Sequence, residues 1–300
     1  MKRALVTGGL GFIGFHLCQR LILEGVEVVC IDEMPDAKKA EQEEMAMRLG
    51  RNSLLTMIND NVENVKLTDC LKDVDVIYHL AASTSADSKW PKLSAVIENN
   101  VNLTRKIVEA IPKKARFIFS STVEVYGERP GVITERTPTN PTSPYGITKL
   151  ASESLIKKAC QEKEISYVIL RLPTVYGPWQ REDMTYQQLI TGMTNPARDR
   201  STLDVLFVED VVDAFLLAAT TKKVNEVFHL STGSEGAWYE GIGLLAQEEL
   251  PFMRSPIKAS LSNEKSEKLL GFRAKTNLKE GLAKQSEHMA QWLKQKNWFD

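Results

Sequence analysis

The chain has 300 residues, 43% hydrophobic and 26% charged, with 38 basic against 39 acidic side chains and a net charge of −1. That length supports a substantial core, and the balance of charge excludes the basic excess that nucleic acid or an anionic membrane requires. No apolar run reaches transmembrane length, and MKRALVTGG lacks the apolar stretch of a signal peptide, so the cytoplasm is the expected compartment.

In chain order, ALVTGG reads as a short buried strand closed by glycines. FIGFHLCQRLILEG follows with helical spacing of Phe12, Phe15, Leu17, Leu21 and Ile22, and VEVVCID is a second strand. Residues 35–50 are charged and methionine-rich, and read as an exposed helix or loop insertion. DVDVIYHLAA is a strand and VNLTRKIVEA a helix. RFIFSST is a strand and SPYGITKLASESLIKKACQEK opens a long helix. SYVILRLPTVYGP runs from strand into loop, VEDVVDAFLLAATT is an amphipathic helix, and NEVFHLST is another strand. Apolar strands alternating with helices predict an α/β fold, a Rossmann-like doubly wound parallel sheet covered on both faces. Residues 1–170 are expected to form the dinucleotide-binding domain and 171–300 mainly a smaller substrate-binding lobe, with the chain crossing between the two. Cys18, Cys30, Cys70 and Cys160 show neither C-x-x-C spacing nor a zinc pattern with histidine, so free thiols and no metal are expected.

The first strand and helix are joined by TGGLGFIG, in which Gly8, Gly11 and Gly14 form G-x-x-G-x-x-G. A dinucleotide loop needs a tight turn, close approach of backbone to pyrophosphate and close helix–strand packing, and glycine supplies all three. Asp32 ends the next strand, where a carboxylate accepts from the adenosine ribose hydroxyls and repels a 2′-phosphate. NAD is therefore expected rather than NADP. Asp60, beyond the third strand, is a second candidate for the adenosine end.

PTSPYGITKL places Tyr145 and Lys149 four apart, on one helix face. A phenol with a pKa of about 10 is a poor base near neutral pH. An ammonium on the same face and a cationic nicotinamide ring both favour its phenolate, which then takes a proton from a substrate hydroxyl as hydride leaves the same carbon.

TGGLGFIG, Asp32, YHLAA, NNV, SST…VYG, PYGITK and RLPTVYGP follow the order seen in the extended short-chain dehydrogenase/reductases, the NAD-dependent nucleotide-sugar epimerases and dehydratases, which the chain resembles over nearly its whole length. The resemblance implies Thr122, Tyr145 and Lys149 as the catalytic set, with Lys149 also gripping the nicotinamide ribose. It implies cofactor contacts from Phe12, Ile13, Leu80, Ala81, Ala82, Asn100, Ser120 and Pro173. It also implies a homodimer through a four-helix interface made by the helix from Tyr145 and by Val101–Ala110. SKW, SPYGITKL and TVYGPWQREDM resemble the UDP-glucuronic acid 4-epimerase branch, in which Thr174 and Arg181 would hold the sugar carboxylate and Thr84, Thr122, Val123 and Glu124 would line the sugar. A hydroxyl and an arginine fork suit that group.

Two departures stand out. Glu124 matches decarboxylases and 4,6-dehydratases, whereas Val123 replaces the dehydratase aspartate. In the substrate lobe the glycine-rich hairpin is missing, and Leu203 stands where the family has a diphosphate-binding arginine, leaving Arg198, Arg200 and Arg254 as replacements. The leading expectation is a UDP-hexuronic acid 4-epimerase working through a transient 4-keto sugar. The alternatives are a decarboxylase, dehydratase or keto-reductase of the same family, a non-nucleotide-sugar oxidoreductase, or a catalytically idle NAD-binding scaffold. The intact Thr122, Tyr145 and Lys149 speak against the scaffold.

Overall fold

The computed structural model describes residues 1–35, 39–83, 93–246, 250 and 259–296. The first half alternates β1 (Arg3–Thr7), α1 (Phe12–Leu23), β2 (Glu27–Asp32), α2 (Lys39–Leu49), β3 (Leu55–Asn59), the short α3 (Leu67–Cys70) and β4 (Val76–His79). Next come α4 (Leu93–Ile97) and α5 (Leu103–Ala110), joined by a π turn over Glu98–Asn102, and then β5 (Arg116–Thr122). A 3-10 turn over Val123–Tyr126 leads to β6 (Gly131–Ile133), α6 (Pro144–Glu162), β7 (Tyr167–Leu172) and β8 (Thr174–Tyr176). The chain continues with α7 (Thr185–Ile190), β9 (Val205–Phe207), α8 (Val208–Thr220), β10 (Glu226–His229), α9 (Ala237–Leu245), β11 (Ala259–Leu261) and α10 (Leu278–Lys296).

Seven strands form one parallel sheet in the order β10-β7-β5-β4-β1-β2-β3. The predicted Rossmann-like doubly wound sheet is therefore the observed one. The inner stretches of these strands are largely apolar on both faces because successive side chains enter different layers. Ala4, Val6, Val28, Cys30, Val76, Tyr78, Ile118, Val168 and Leu170 pack in one core with α1 and α8. Leu5, Val29, Ile31, Ile77, Phe117, Phe119 and Ile169 pack in the other with α5 and α6.

Strand order reverses at β1, between β2 and β4. At such a switch point the loops beyond the strand ends diverge and leave a crevice. Two small parallel pairs, β6 with β11 and β8 with β9, extend the molecule beyond the sheet. β10 returns from the second half to the main sheet beside β7.

Residues 39–49 form a helix, one of the two forms expected of 35–50, but it is not wholly exposed: α2 buries Gln42, Glu44, Met45 and Leu49. Met45 and Leu49 join the core beside α1, so the charges conceal an amphipathic helix. The four cysteines are free. Among the described residues no helix is long and apolar enough to cross a membrane, and no cluster of metal-ligating side chains occurs.

Candidate active site

The glycine loop leaves β1 at Gly8, whose φ of +75° suits a residue without a Cβ. A Cβ there would stand 2.7 Å from the Ala81 backbone nitrogen, and one on Gly14 would stand 2.0 Å from the Gly8 carbonyl oxygen. Gly11 caps α1 with extended backbone. Phe12 and Ile13 form the first turn of α1, half-buried, where backbone N–H groups point outward.

Asp32 closes β2. Its carboxylate accepts from Leu10 N at 2.7 Å and Glu33 N at 2.9 Å, which fixes it beside the loop. Asp60 lies one residue beyond β3, and its N–H donates to the Asp32 carbonyl at 3.0 Å. The Asp60 carboxylate is exposed and takes up Asn61 N at 2.7 Å and Asn64 Nδ2 at 2.8 Å.

Leu80, Ala81 and Ala82 run on from β4 beside Gly8. Asn100 is buried in the π turn, a distortion that recurs at functional sites. Its Oδ1 accepts from Ser83 N at 2.7 Å, while its Nδ2 donates to Thr148 Oγ1 at 3.2 Å. Beneath them His79 bridges Thr7 Oγ1 at 2.8 Å and Thr104 Oγ1 at 3.1 Å. Burial and the Lys149 charge push its pKa down to about 3, so the ring stays neutral and structural.

At the chemical end β5 delivers Ser120, Ser121 and Thr122, all buried. Thr122 Oγ1 accepts from Glu124 N at 3.2 Å and so caps the 3-10 turn. Ser143 caps α6, accepting from Gly146 N at 3.0 Å, and Pro144 occupies the first turn, where its missing N–H is harmless. The helix then presents Tyr145 and Lys149 on one face.

Lys149 is buried. Its Nζ donates to the Ser120 carbonyl at 2.7 Å and stands 4.7 Å from the centre of the Phe119 ring and 5.6 Å from that of Tyr145. Burial lowers its pKa to about 7, against the Glu153 carboxylate, which acts to raise it. Tyr145 is pushed up to about 12, first by burial and then by Glu124, while Arg200 and Arg181 pull the other way.

Glu124 is tethered on both oxygens. Ser143 Oγ donates to Oε2 at 2.7 Å and Arg200 Nε donates to Oε1 at 3.1 Å. Val123 is fully buried in an apolar cluster with Val125, Tyr126, Ile133 and Leu261, with no side-chain surface left for a sugar. Leu203 packs against the same cluster, which accounts for an apolar residue at that position.

Pro173 is buried between β7 and β8. Thr174 Oγ1 donates to the Ser201 carbonyl at 2.7 Å. Arg181 makes a two-pronged contact with Asp183, Nε to Oδ1 and Nη2 to Oδ2, both at 2.7 Å. Arg198 is exposed and donates to Tyr239 Oη at 2.9 Å. Thr84, the SKW stretch and Arg254 lie outside the described residues.

Sequence reasoning missed Glu153 and Arg171. Both are buried and bridged twice, Nε to Oε1 at 2.9 Å and Nη2 to Oε2 at 2.7 Å, with Ser121 Oγ donating to Glu153 Oε1 at 2.6 Å. The signal was available: Glu153 follows Lys149 by one helical step of four.

These features agree with the comparisons. An uncharacterised UDP-glucose epimerase of Bacillus subtilis is 38% identical over 196 residues, 63% of this chain and 61% of that relative. A UDP-N-acetyl-alpha-D-glucosaminuronate decarboxylase of Bacillus cytotoxicus is 28% identical over 262 residues, covering 78% of this chain and 76% of that relative. The crystal structure of UDP-glucuronic acid 4-epimerase from Bacillus cereus, in complex with UDP-glucuronic acid and NAD, superposes with a TM-score of 0.84 at 32% identity. That superposition covers 97% of this chain and 99% of the other.

The glycine cradle, which added Cβ atoms would fill, and the carboxylate that ends β2 fit NAD as the cofactor. The description of the NAD dependent epimerase/dehydratase family matches residues 4–231; the chain belongs to that family.

Proposed function

We propose that the protein is an NAD-dependent 4-epimerase of a UDP-hexuronic acid or a related UDP-sugar, and that it acts as a homodimer. One observation carries the reading: Lys149, which stands 5.6 Å from the Tyr145 ring on α6, donates to the Ser120 carbonyl of β5, the strand that ends at Thr122. Bound NAD supplies a reversible hydride acceptor. Tyr145 as phenolate removes the proton of the sugar C4 hydroxyl and returns it after the 4-keto sugar has turned. The Thr122 hydroxyl donates to the reacting oxygen. The Lys149 ammonium favours the phenolate and would bond the nicotinamide ribose. Gly8, Gly11 and Gly14 would seat the pyrophosphate and Asp32 the adenosine ribose.

Arg181 and Thr174 stand on the segment after β7, where a sugar carboxylate would be read. Arg181 lies close enough to Tyr145 to influence its charge. The chain covers less than two thirds of the Bacillus subtilis relative, so the support for the substrate comes from the full-length structural match and from Arg181. The resemblance of Glu124 to decarboxylases favours a second reading, loss of CO2 from the 4-keto uronic acid. The Ser143 and Arg200 bonds engage both Glu124 oxygens and weigh against its being a mobile base.

The test is purified protein with UDP-glucuronate. UDP-galacturonate should form with neither CO2 nor accumulated NADH, and Tyr145→Phe should retain NAD while losing on the order of 10²–10⁴-fold in rate. Release of CO2 selects the second reading, and wild-type turnover by Tyr145→Phe removes the mechanism.

A further inference from the structure

Arg200 reaches Tyr145 from the other half of the molecule. Its guanidinium carbon lies 4.5 Å from the centre of the Tyr145 ring, and its Nε is bonded to Glu124. The connection that carries it is pinned on both sides. Asp199 is buried and accepts from Thr185 N at 3.0 Å and from Trp238 Nε1 at 2.8 Å. Asp204 is buried and accepts from Ser231 Oγ at 2.7 Å, Thr232 N at 2.7 Å, Thr232 Oγ1 at 2.8 Å and Val205 N at 2.8 Å. Between them, Thr174 Oγ1 holds the Ser201 carbonyl. The backbone at Arg200 is thus set by groups other than Arg200 itself.

On the opposite side Glu124 is equally fixed. Its second oxygen takes the Ser143 hydroxyl, and that same hydroxyl oxygen caps α6, the helix that carries Tyr145. Among the described residues, the charged groups acting on Tyr145 are Lys149 on its own helix, Glu124 on the 3-10 turn, Arg200 before β9 and Arg181 after β8.

We propose that Arg200 is a positioning residue that stabilises the Tyr145 phenolate, and that Glu124 sets how much of its charge the phenol feels. The inference rests on the reading of Tyr145 as the base. A guanidinium over the face of a phenol favours the anion through charge and contact. A carboxylate joined to that guanidinium opposes it, and also acts directly on the phenol. The two groups act in opposite senses: removing Arg200 takes away a group that favours the phenolate, and removing the Glu124 charge takes away one that opposes it.

The test is an ultraviolet titration of the phenol in the NAD-loaded full chain, each variant measured against the same variant carrying Tyr145→Phe. Arg200→Gln should raise the Tyr145 pKa by about one unit and Glu124→Gln should lower it by about one unit, the low end of shifts from charges at this range. Arg200→Lys should fall between wild type and Arg200→Gln. With UDP-glucuronate, the acid limb of kcat/KM should move the same way, about tenfold in rate near neutral pH per unit.

An unmoved phenol in Arg200→Gln overturns the role of Arg200, and an unmoved phenol in Glu124→Gln overturns that of Glu124. If Arg200→Gln fails to fold, Arg200→Lys decides, and a phenol unmoved from wild type in it overturns the role. Wild-type turnover by Tyr145→Phe overturns the base assignment and leaves the titration result standing, so the two failures are distinguishable.

Discussion

Lys149 donates from Nζ to the Ser120 carbonyl oxygen at 2.7 Å, so the helix that carries Tyr145 is tied to the strand that carries Thr122. The bond replaces little of the water an ammonium loses on burial, and the pKa of Lys149 falls to about 7. In the unfolded chain a lysine titrates at about 10.4. Between these values the unfolded state binds more protons than the native one, so stability rises with pH across that window and is lost as pH falls through about 7. The NAD-free protein should gain up to about 1.4 kcal/mol per pH unit from this group. Lys149→Met should remove that gain. Chemical denaturation of both proteins from pH 7 to 10 measures it, and parallel curves would refute the assignment.

Gly14 faces the Gly8 carbonyl so closely that a Cβ would come within 2.0 Å of it and 2.8 Å of Gly9 Cα. Both obstacles are backbone, so Gly14→Ala must deform the loop. Overpacking of this kind costs about 1–3 kcal/mol, and the deformation falls on the pyrophosphate cradle. Gly14→Ala should therefore copurify without NAD and bind added NAD roughly 100-fold more weakly, a change of about 2.7 kcal/mol. Gly25→Ala is the control. Its φ is also +75° but nothing lies within 4 Å of the added Cβ, so it should lose about 1 kcal/mol of stability and keep its NAD.

The sheet was legible because strands buried on two faces need largely apolar inner stretches, and their ends carry the glycines, Asp32 and Thr122. Tyr145 and Lys149 were legible for a similar reason, since helical spacing alone puts them on one face. What stayed hidden is made by tertiary placement. Nothing in NPARDRSTLD marks Arg200 over Arg198, because Asp199 and Asp204 choose between them by finding partners in Thr185, Trp238, Ser231 and Thr232. Leu203 looked like a missing charge, yet it packs against the Val123 cluster. β6 and β11, three residues each, are too short to carry a period.

Glu153 and Arg171 form a buried pair behind the catalytic face, and Arg171 Nη1 has no hydrogen-bond partner among the described atoms. Arg171 therefore depends on Glu153 for its compensation. Glu153→Gln keeps the shape and removes the charge, leaving a buried cation, which costs about 3–5 kcal/mol. A melting temperature lower by roughly 10 °C is expected. Lys149 loses a raising influence in the same variant, so its pKa should fall further. Thermal unfolding that matches wild type would show that the pair is not coupled in this way.

Arg181 is the residue on which the choice of a uronic acid turns, and Asp183 already occupies its fork through Nε and Nη2. A substrate carboxylate must share the guanidinium with Asp183 or displace it. A charge-assisted hydrogen bond is worth about 1.5–3 kcal/mol. Arg181→Ala should thus raise KM for UDP-glucuronate by about 10–100-fold and change that for UDP-glucose by less than about threefold. Asp183→Asn removes the competing charge while keeping an acceptor for the fork. It should lower KM for UDP-glucuronate and leave UDP-glucose unchanged. Steady-state kinetics with the two nucleotides across both variants separates the effects. Equal losses for the acid and the neutral hexose in Arg181→Ala would mean that the guanidinium supports the loop rather than reading the substrate. An unchanged Asp183→Asn beside a selective Arg181→Ala would place the carboxylate on Nη1, where Asp183 does not compete.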